Sequence, residues 1–221
     1  MTHADALANI PQGSPEWKAL RCGRVTASKV ADIVAKTKSG PSASRASYKA
    51  DLVLERMTGV PREIFQTSAM LWGVENEAAA CDAYAEQNLC GLTQIGFVEH
   101  PTIPMAGASP DRLVGSDGLV EAKCPQPPAH LETLLSRTVP AKYVTQIMWQ
   151  FACMPERKWC DYISYHPAFP EPMRLFVQRV ERDDALIAEL EAEVSKFLAE
   201  VDETVSKLRA AYDPEQQREA A

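Results

Sequence analysis

The feature that most constrains this 221-residue chain is a turn bracketed by two acids, Asp111-Arg112-Leu113-Val114-Gly115-Ser116-Asp117-Gly118-Leu119-Val120-Glu121. Short apolar runs on both sides of a Gly-Ser-Asp-Gly cluster read as a β-hairpin. With the loop centred on Ser116, Asp111 lies across from Glu121, and antiparallel neighbours hold such pairs at Cβ separations of about 4.5–5.5 Å. A side-chain period of two puts Glu121 and Lys123 on one side, roughly 7 Å apart along the strand, and leaves the Ala122 carbonyl beside the acids. A loop one residue longer would offset the pairing. Two carboxylates this close repel unless a proton or cation lies between them, and hard oxygen donors suit Mg²⁺ or Mn²⁺ better than zinc. Such an ion polarises a phosphoryl oxygen and acidifies bound water, while an ammonium such as that of Lys123 orients the water and offsets charge on the phosphate. The plainer alternative is a surface hairpin with an ordinary Glu/Lys ladder.

Around this hairpin the pattern predicts helices and a sheet. Ser14-Pro15-Glu16 starts a helix that Gly23 ends. Thr26-Ala27-Ser28 starts another, with Val30, Ile33 and Val34 on one face, running out into a basic, flexible loop over Lys36–Ser42. Helices are expected over 47–58, ending at Gly59, and about 67–89, ending at Gly91. Strands follow at Leu92–Val98, Arg112–Val114 and Leu119–Lys123, then helices at about 128–136 and 141–153, then strands at Lys158–Tyr165 and Met173–Val180. Leu186, Leu190, Val194, Phe197, Val201, Val205 and Leu208 recur at threes and fours, giving a long C-terminal helix that covers a sheet face rather than forming a coiled coil. The fold class is α/β (α+β), a central mixed sheet flanked by helices in one domain over 1–221, with a core at about 14–210 and a flexible tail at 211–221.

Composition excludes several classes. With 46% hydrophobic and 24% charged residues the chain is globular, neither collagen-like nor disordered. No apolar run reaches the roughly 20 residues that cross a bilayer, so no membrane is expected. The six cysteines, at 22, 81, 90, 124, 153 and 160, lack zinc-site spacing and read as reduced cytoplasmic thiols. A net charge of −7 weighs against non-specific nucleic-acid adhesion, yet residues 1–60 carry nine Lys and Arg against five Asp and Glu. The acid excess lies in residues 181–221, with twelve Asp and Glu against five Lys and Arg, so a basic N-terminal surface remains open to nucleic acid.

Pro110-Asp111, a ten-residue step and Glu121-Ala122-Lys123, followed by Cys124-Pro125, make up the PD-(D/E)XK nuclease signature. The flanks also resemble the phage lambda exonuclease family, or YqaJ-like viral recombinase family, over nearly the whole chain. The matching runs are Trp17 to Ser28, Ile33-Val34-Ala35-Lys36 with Lys38-Ser39-Gly40, Trp72-Gly73 with Glu77, Ser109-Pro110-Asp111, Glu121 to Pro125, and Tyr143-Val144-Thr145-Gln146. The resemblance implies a restriction-endonuclease-like core in which Asp111, Glu121 and the Ala122 carbonyl bind metal and Lys123 handles the attacking water. Glu77 would serve a second ion, with Glu75 its competitor, and Gln146 would support the site from a helix. Arg21, Ser28 and Ser109 match positions that hold a 5′-terminal phosphate; an arginine fork and a helix N-terminus both suit that anion. Lys38 matches a residue that reaches into the DNA, and Met70 an apolar wedge at the duplex end. Where the family can carry a basic residue, six after the motif lysine, this chain has Ala129, with His130 as a possible substitute. The cysteine spacing does not match that of iron–sulfur relatives, so no cluster is expected.

The resemblance thus implies a Mg²⁺-dependent (or Mn²⁺-dependent) 5′-to-3′ exonuclease with two ions per site. It would degrade one strand of linear double-stranded DNA from 5′-phosphorylated ends to mononucleotides and leave a 3′ tail. A homotrimeric ring, a phage-type single-strand annealing protein as partner, and a cytoplasmic, bacterial or phage-encoded setting are implied with it. The alternatives are a PD-(D/E)XK endonuclease and a non-catalytic DNA-end-binding module of the same fold.

Overall fold

A computed structural model describes residues 8–38, 40–63 and 65–212; most of the expected tail, 213–221, lies outside the described residues. In chain order, α1 (Pro15–Arg21), β1 (Val25–Thr26) and α2 (Ala27–Val34) precede a small hairpin of β2 (Lys36–Thr37) and β3 (Gly40–Pro41). Helices α3 (Ala43–Thr58) and α4 (Ser68–Asn88) follow, then β4 (Leu92–Thr93), β5 (Val98–Glu99), β6 (Ala106–Ala108), β7 (Arg112–Val114) and β8 (Gly118–Lys123). The chain closes with α5 (Pro127–Ser136), α6 (Ala141–Cys153), β9 (Trp159–Tyr165), α7 (Glu171–Arg174), β10 (Leu175–Glu181) and α8 (Asp184–Tyr212). Local chemistry sets several starts: Ser14, Ser42 and Thr67 each turn a hydroxyl to accept a backbone N–H of the first turn, and Pro15 opens α1.

The main sheet is mixed, in the order β10-β9-β8-β7-β4, with β8 and β9 parallel and the other neighbours antiparallel. A parallel pair needs a crossover, and α5 and α6 supply it. A second sheet, β1-β6-β5, contributes Val25, Ala106 and Ala108 to the same large core as Leu119 of the main sheet. Strand alternation divides the interior in two. Leu119 on β8 and Cys160 and Tyr162 on β9 join the large core with α2, α3, α6 and α8. Val120, Ala122 and Ile163 face the other way, onto Ala80, Cys81 and Tyr84 of α4.

Six expectations need correction. Helix α3 starts at Ala43 rather than 47, because the Ser42 hydroxyl caps it, and the strand expected over Met173–Val180 begins only at Leu175, after the short helix α7. The loop over 36–42 holds the β2–β3 pairing, because Gly40 takes φ +129° and lets the chain reverse. The strand expected over 92–98 survives only as β4 and β5, since the N-terminal segment takes the backbone groups between them. Gln12 Nε2 donates to the Ile95 carbonyl at 2.9 Å, and Gly96 N–H to that of Ala8 at 2.6 Å. Helix α4 ends at Leu89, itself left-handed at φ 50°, rather than at Gly91. Helix α8 covers helices α2, α3 and α6 instead of a sheet face, burying Ile187, Leu190, Val194, Phe197, Leu198, Val201 and Val205. Arg45 anchors it further with a two-pronged grip on Glu200 at 2.7 and 2.9 Å.

Candidate active site

The hairpin folds in the register that places its acids face to face. Arg112 pairs with Val120, Leu113 with Leu119 and Val114 with Gly118, so the loop centres on Ser116. Gly115 takes φ +51° in the turn, and a Cβ on Gly118 would collide with the Trp159 ring. Arg157 Nη1 pins the turn by donating to the carbonyls of Gly115 and Gly118 at 2.9 and 3.2 Å. Continuing the register one step brings Asp111 opposite Glu121, where Asp111 Oδ2 accepts the Ala122 N–H at 2.7 Å.

Glu121 is fully buried, and three donors meet its carboxylate. Lys123 Nζ and Gln146 Nε2, the latter at 2.7 Å, reach Oε1; Gln150 Nε2 reaches Oε2 at 2.6 Å. The two glutamines lie one turn apart on α6 and so project from one face of it. Burial, joined by the charge of Glu121, raises the Asp111 carboxyl well above the usual range. Burial works against the Lys123 ammonium as well, but the charges of Glu121 and Asp111 outweigh it and hold its proton above the ordinary lysine value. Lys123 is therefore a cation in this state, fitted to orient water and neutralise anions.

Glu77 approaches from α4 on the other face. Strand alternation puts the Arg112 side chain on the face opposite that of Asp111, and its Nη1 donates both to the Asp111 backbone carbonyl at 2.5 Å and to Glu77 Oε1 at 3.1 Å. Glu75 is exposed. The structure thus brings Asp111, Glu121, Ala122, Lys123 and Gln146 into direct contact, and Glu77 joins through Arg112.

A second cluster adjoins the start of the hairpin. Trp17 Nε1 donates to Ser109 Oγ at 2.9 Å, the Arg21 guanidinium stacks over Trp17 at 4.0 Å, and Arg21 Nη1 lies 3.5 Å from the same hydroxyl. Burial pulls Arg21 down to about 10, so it stays charged at neutral pH. Ser28 is exposed in the first turn of α2, whose N-cap, Thr26, makes no side-chain capping bond. Free N–H groups there favour an anion. Lys38 is exposed beside the β2–β3 turn, and Met70 is 46% exposed at the start of α4. His130 does not substitute for a basic residue at Ala129. It is fully buried, with Nδ1 on Ser164 Oγ and Nε2 on the Met173 carbonyl, both at 2.8 Å.

Sequence reasoning missed Gln150, Arg112 and Trp17 as site residues. Gln150 was signalled by its four-residue step from Gln146, and Trp17 stands inside the motif that contains Arg21. Nothing in the spacing marks Arg112.

An acid pair and a lysine on one hairpin, met by two glutamines of α6, thus form one hydrogen-bonded cluster. The chain belongs to the YqaJ-like viral recombinase family, whose domain profile matches residues 16–155. No curated protein matches it. The crystal structure of LHK-Exo in complex with dAMP is 44% identical, covering 90% of this chain and 97% of its own, with a TM-score of 0.84. That of the alkaline exonuclease LHK-Exo from Laribacter hongkongensis gives the same 44% identity, coverage of 90% and 97%, and TM-score of 0.84. A phage-related exonuclease from Haemophilus somnus 129PT shares the fold at 14% identity and a TM-score of 0.69, over 84% of this chain and 96% of its own.

Such a family implies a divalent cation. Among the described residues no three His, Cys, Asp or Glu side chains converge tightly enough to enclose an ion. The donor set still fits Mg²⁺, which keeps several waters and is commonly held by one or two carboxylates. No helix among the described residues is long and apolar enough to cross a membrane.

Proposed function

We propose that this protein is a Mg²⁺-dependent 5′-to-3′ exonuclease acting on linear double-stranded DNA. It removes one strand from 5′-phosphorylated ends as mononucleotides and leaves a 3′ tail for a phage-type single-strand annealing protein. The observation that carries the reading is the acid pair Asp111 and Glu121, paired in register with Lys123 beside it. The likeness to alkaline exonucleases supports it, and the dAMP bound by one relative fits release of mononucleotides.

A divalent cation, when bound, polarises the scissile phosphoryl oxygen and acidifies water. Asp111, Glu121 and the Ala122 carbonyl hold it, with Gln146 bracing Glu121. Lys123 orients the attacking water and offsets negative charge on the phosphate. Glu77, whose Oε1 is held by Arg112, would serve a second ion. Arg21, Ser109 and Ser28 hold the 5′-phosphate, which sets strand polarity. Lys38 contacts DNA, and Met70 wedges the duplex end. A homotrimeric ring in a bacterial cytoplasm would keep the duplex enclosed between steps, its basic N-terminal surfaces inward.

The test is digestion of end-labelled linear duplexes bearing either 5′-phosphate or 5′-hydroxyl, alongside covalently closed circles, with Mg²⁺ or a chelator. Mononucleotides should come from the phosphorylated ends in Mg²⁺ alone, with circles intact. Nicked circles would favour an endonuclease, and binding without cleavage a non-catalytic end-binding module.

A further inference from the structure

Gln150 is fully buried on α6, and its amide makes a single hydrogen bond, from Nε2 to Glu121 Oε2 at 2.6 Å. Its own Oε1 is buried without a partner among the described residues. That orphaned carbonyl makes Gln150 a poor packing residue, since an unpaired buried acceptor costs stability that an apolar side chain of similar length would not. The bond it does make lies against the carboxylate at the centre of the site, and that bond alone fixes which way the amide faces.

The distribution of donors on Glu121 gives the bond its meaning. An ionised carboxylate offers about four lone-pair positions. Lys123 and Gln146 occupy two on Oε1, and Gln150 occupies one on Oε2. The position left free is on the oxygen that Gln150 alone restrains. The terminal torsion of a glutamate is soft, so without that restraint the carboxylate keeps its charge but loses its aim.

We propose that Gln150 is a positioning residue that fixes Glu121 Oε2 so that its remaining lone pair is presented to the divalent cation. This deepens the metal-dependent reading above and rests on it. Gln146 and Gln150 then form a two-pronged clamp from one helix face, each prong holding a different oxygen.

The test is Gln150→Met, which keeps the length and removes the amide. Metal-free, DNA-free protein is titrated with Mn²⁺, and the unbound ion is followed by electron paramagnetic resonance; melting temperature is measured in chelator, and kcat and KM on a 5′-phosphorylated duplex. The Mn²⁺ dissociation constant should rise about 10–100-fold, the usual effect of removing a group that orients a ligand. At limiting Mn²⁺, kcat should fall by a similar factor with KM for DNA unchanged, and excess Mn²⁺ should restore it. The metal-free melting temperature should hold or rise. A folded Gln150→Met protein with wild-type Mn²⁺ affinity overturns the proposal. Should that variant not fold, Gln150→Asn, whose amide is one methylene short of the carboxylate, takes its place in the same titration, and wild-type affinity there overturns the proposal equally. A wild-type protein that neither binds Mn²⁺ nor cuts DNA would instead remove the underlying reading.

Discussion

The two halves of the site are built in opposite ways. On the α6 side of the main sheet, Lys123, Gln146 and Gln150 all donate to Glu121, and the Ala122 N–H next to it donates to Asp111. At the N-terminal end, Arg21 leans on Trp17, touches Ser109 only at the limit of hydrogen-bond distance, and leaves Ser28 exposed on a separate helix. The first half is held in one arrangement by those bonds, with the Lys123 ammonium inside it. The second presents the Arg21 guanidinium in a looser arrangement, with one long hydrogen bond to Ser109. Chemistry needs the rigid arrangement, because electrostatic stabilisation works through groups that do not reorganise during reaction. On the proposed function, the looser half suits the grip on a strand end that is released and recaptured at every step.

The sharpest way to break this comparison is at the rigid half. Asp111→Ala or Glu121→Ala should abolish cleavage, a loss of several orders of magnitude, while DNA binding in a gel-shift assay persists. An Asp111→Ala protein that digests duplex at the normal rate would end the assignment. Lys123→Met should cost about 10²–10³ in kcat, the scale seen when one preorganised electrostatic donor is lost. Steady-state kinetics with KM unmoved would place that loss in the chemical step.

These residues were legible in the sequence for a geometric reason. A hairpin has a period of two and a short loop, so a ten-residue step between acids fixes their pairing once the loop is centred on Ser116, and the register agrees. Helix α6 was legible through Gln146 alone, because Gln150 looks like any core position until the carboxylate it meets is known. The partition of 92–98 between two sheets was not legible. It depends on Gln12 and Ala8, more than eighty residues away, taking backbone groups that a strand would have used. Helix α8 showed its apolar stripe plainly, but a stripe does not say whether helices or a sheet lie beneath it.

At the looser half the expected effects are smaller. Arg21→Ala should reduce the preference for a 5′-phosphate over a 5′-hydroxyl end by about 10–100-fold, the value of one or two charge-assisted hydrogen bonds. The check is the ratio of kcat/KM on the two substrates. Catalysis on 5′-hydroxyl ends should hardly change, since the contacts of Arg21 are to Trp17 and Ser109 rather than to Asp111 or Glu121. A uniform loss on both substrates would instead tie Arg21 to the rigid half.

The smallest effect concerns what braces the rigid half. His130 bonds Ser164, which stands level with Lys123 on the neighbouring strand, and His100 stacks on Trp149 of α6 at 5.1 Å. Both imidazoles are lowered below the usual histidine value, first of all by burial. His100 Nδ1 accepts the N–H groups of Thr102 and Ile103, leaving Nε2 to face Glu191. With folded values depressed, the unfolded chain takes up protons before the native one does, so stability falls as pH drops through the ordinary histidine range near 6.5. Asp111, raised in the fold, has the opposite slope, so the comparison belongs in an Asp111→Asn background without metal. There the melting temperature should decline on acidification from about pH 7.5 to about pH 5.5, by about 2–4 °C for each kcal/mol lost in a chain of this size. Adding His100→Gln and His130→Gln should flatten that decline. A slope as steep as before would mean that other groups carry the acid sensitivity and that the histidines brace α6 and β9 through shape alone.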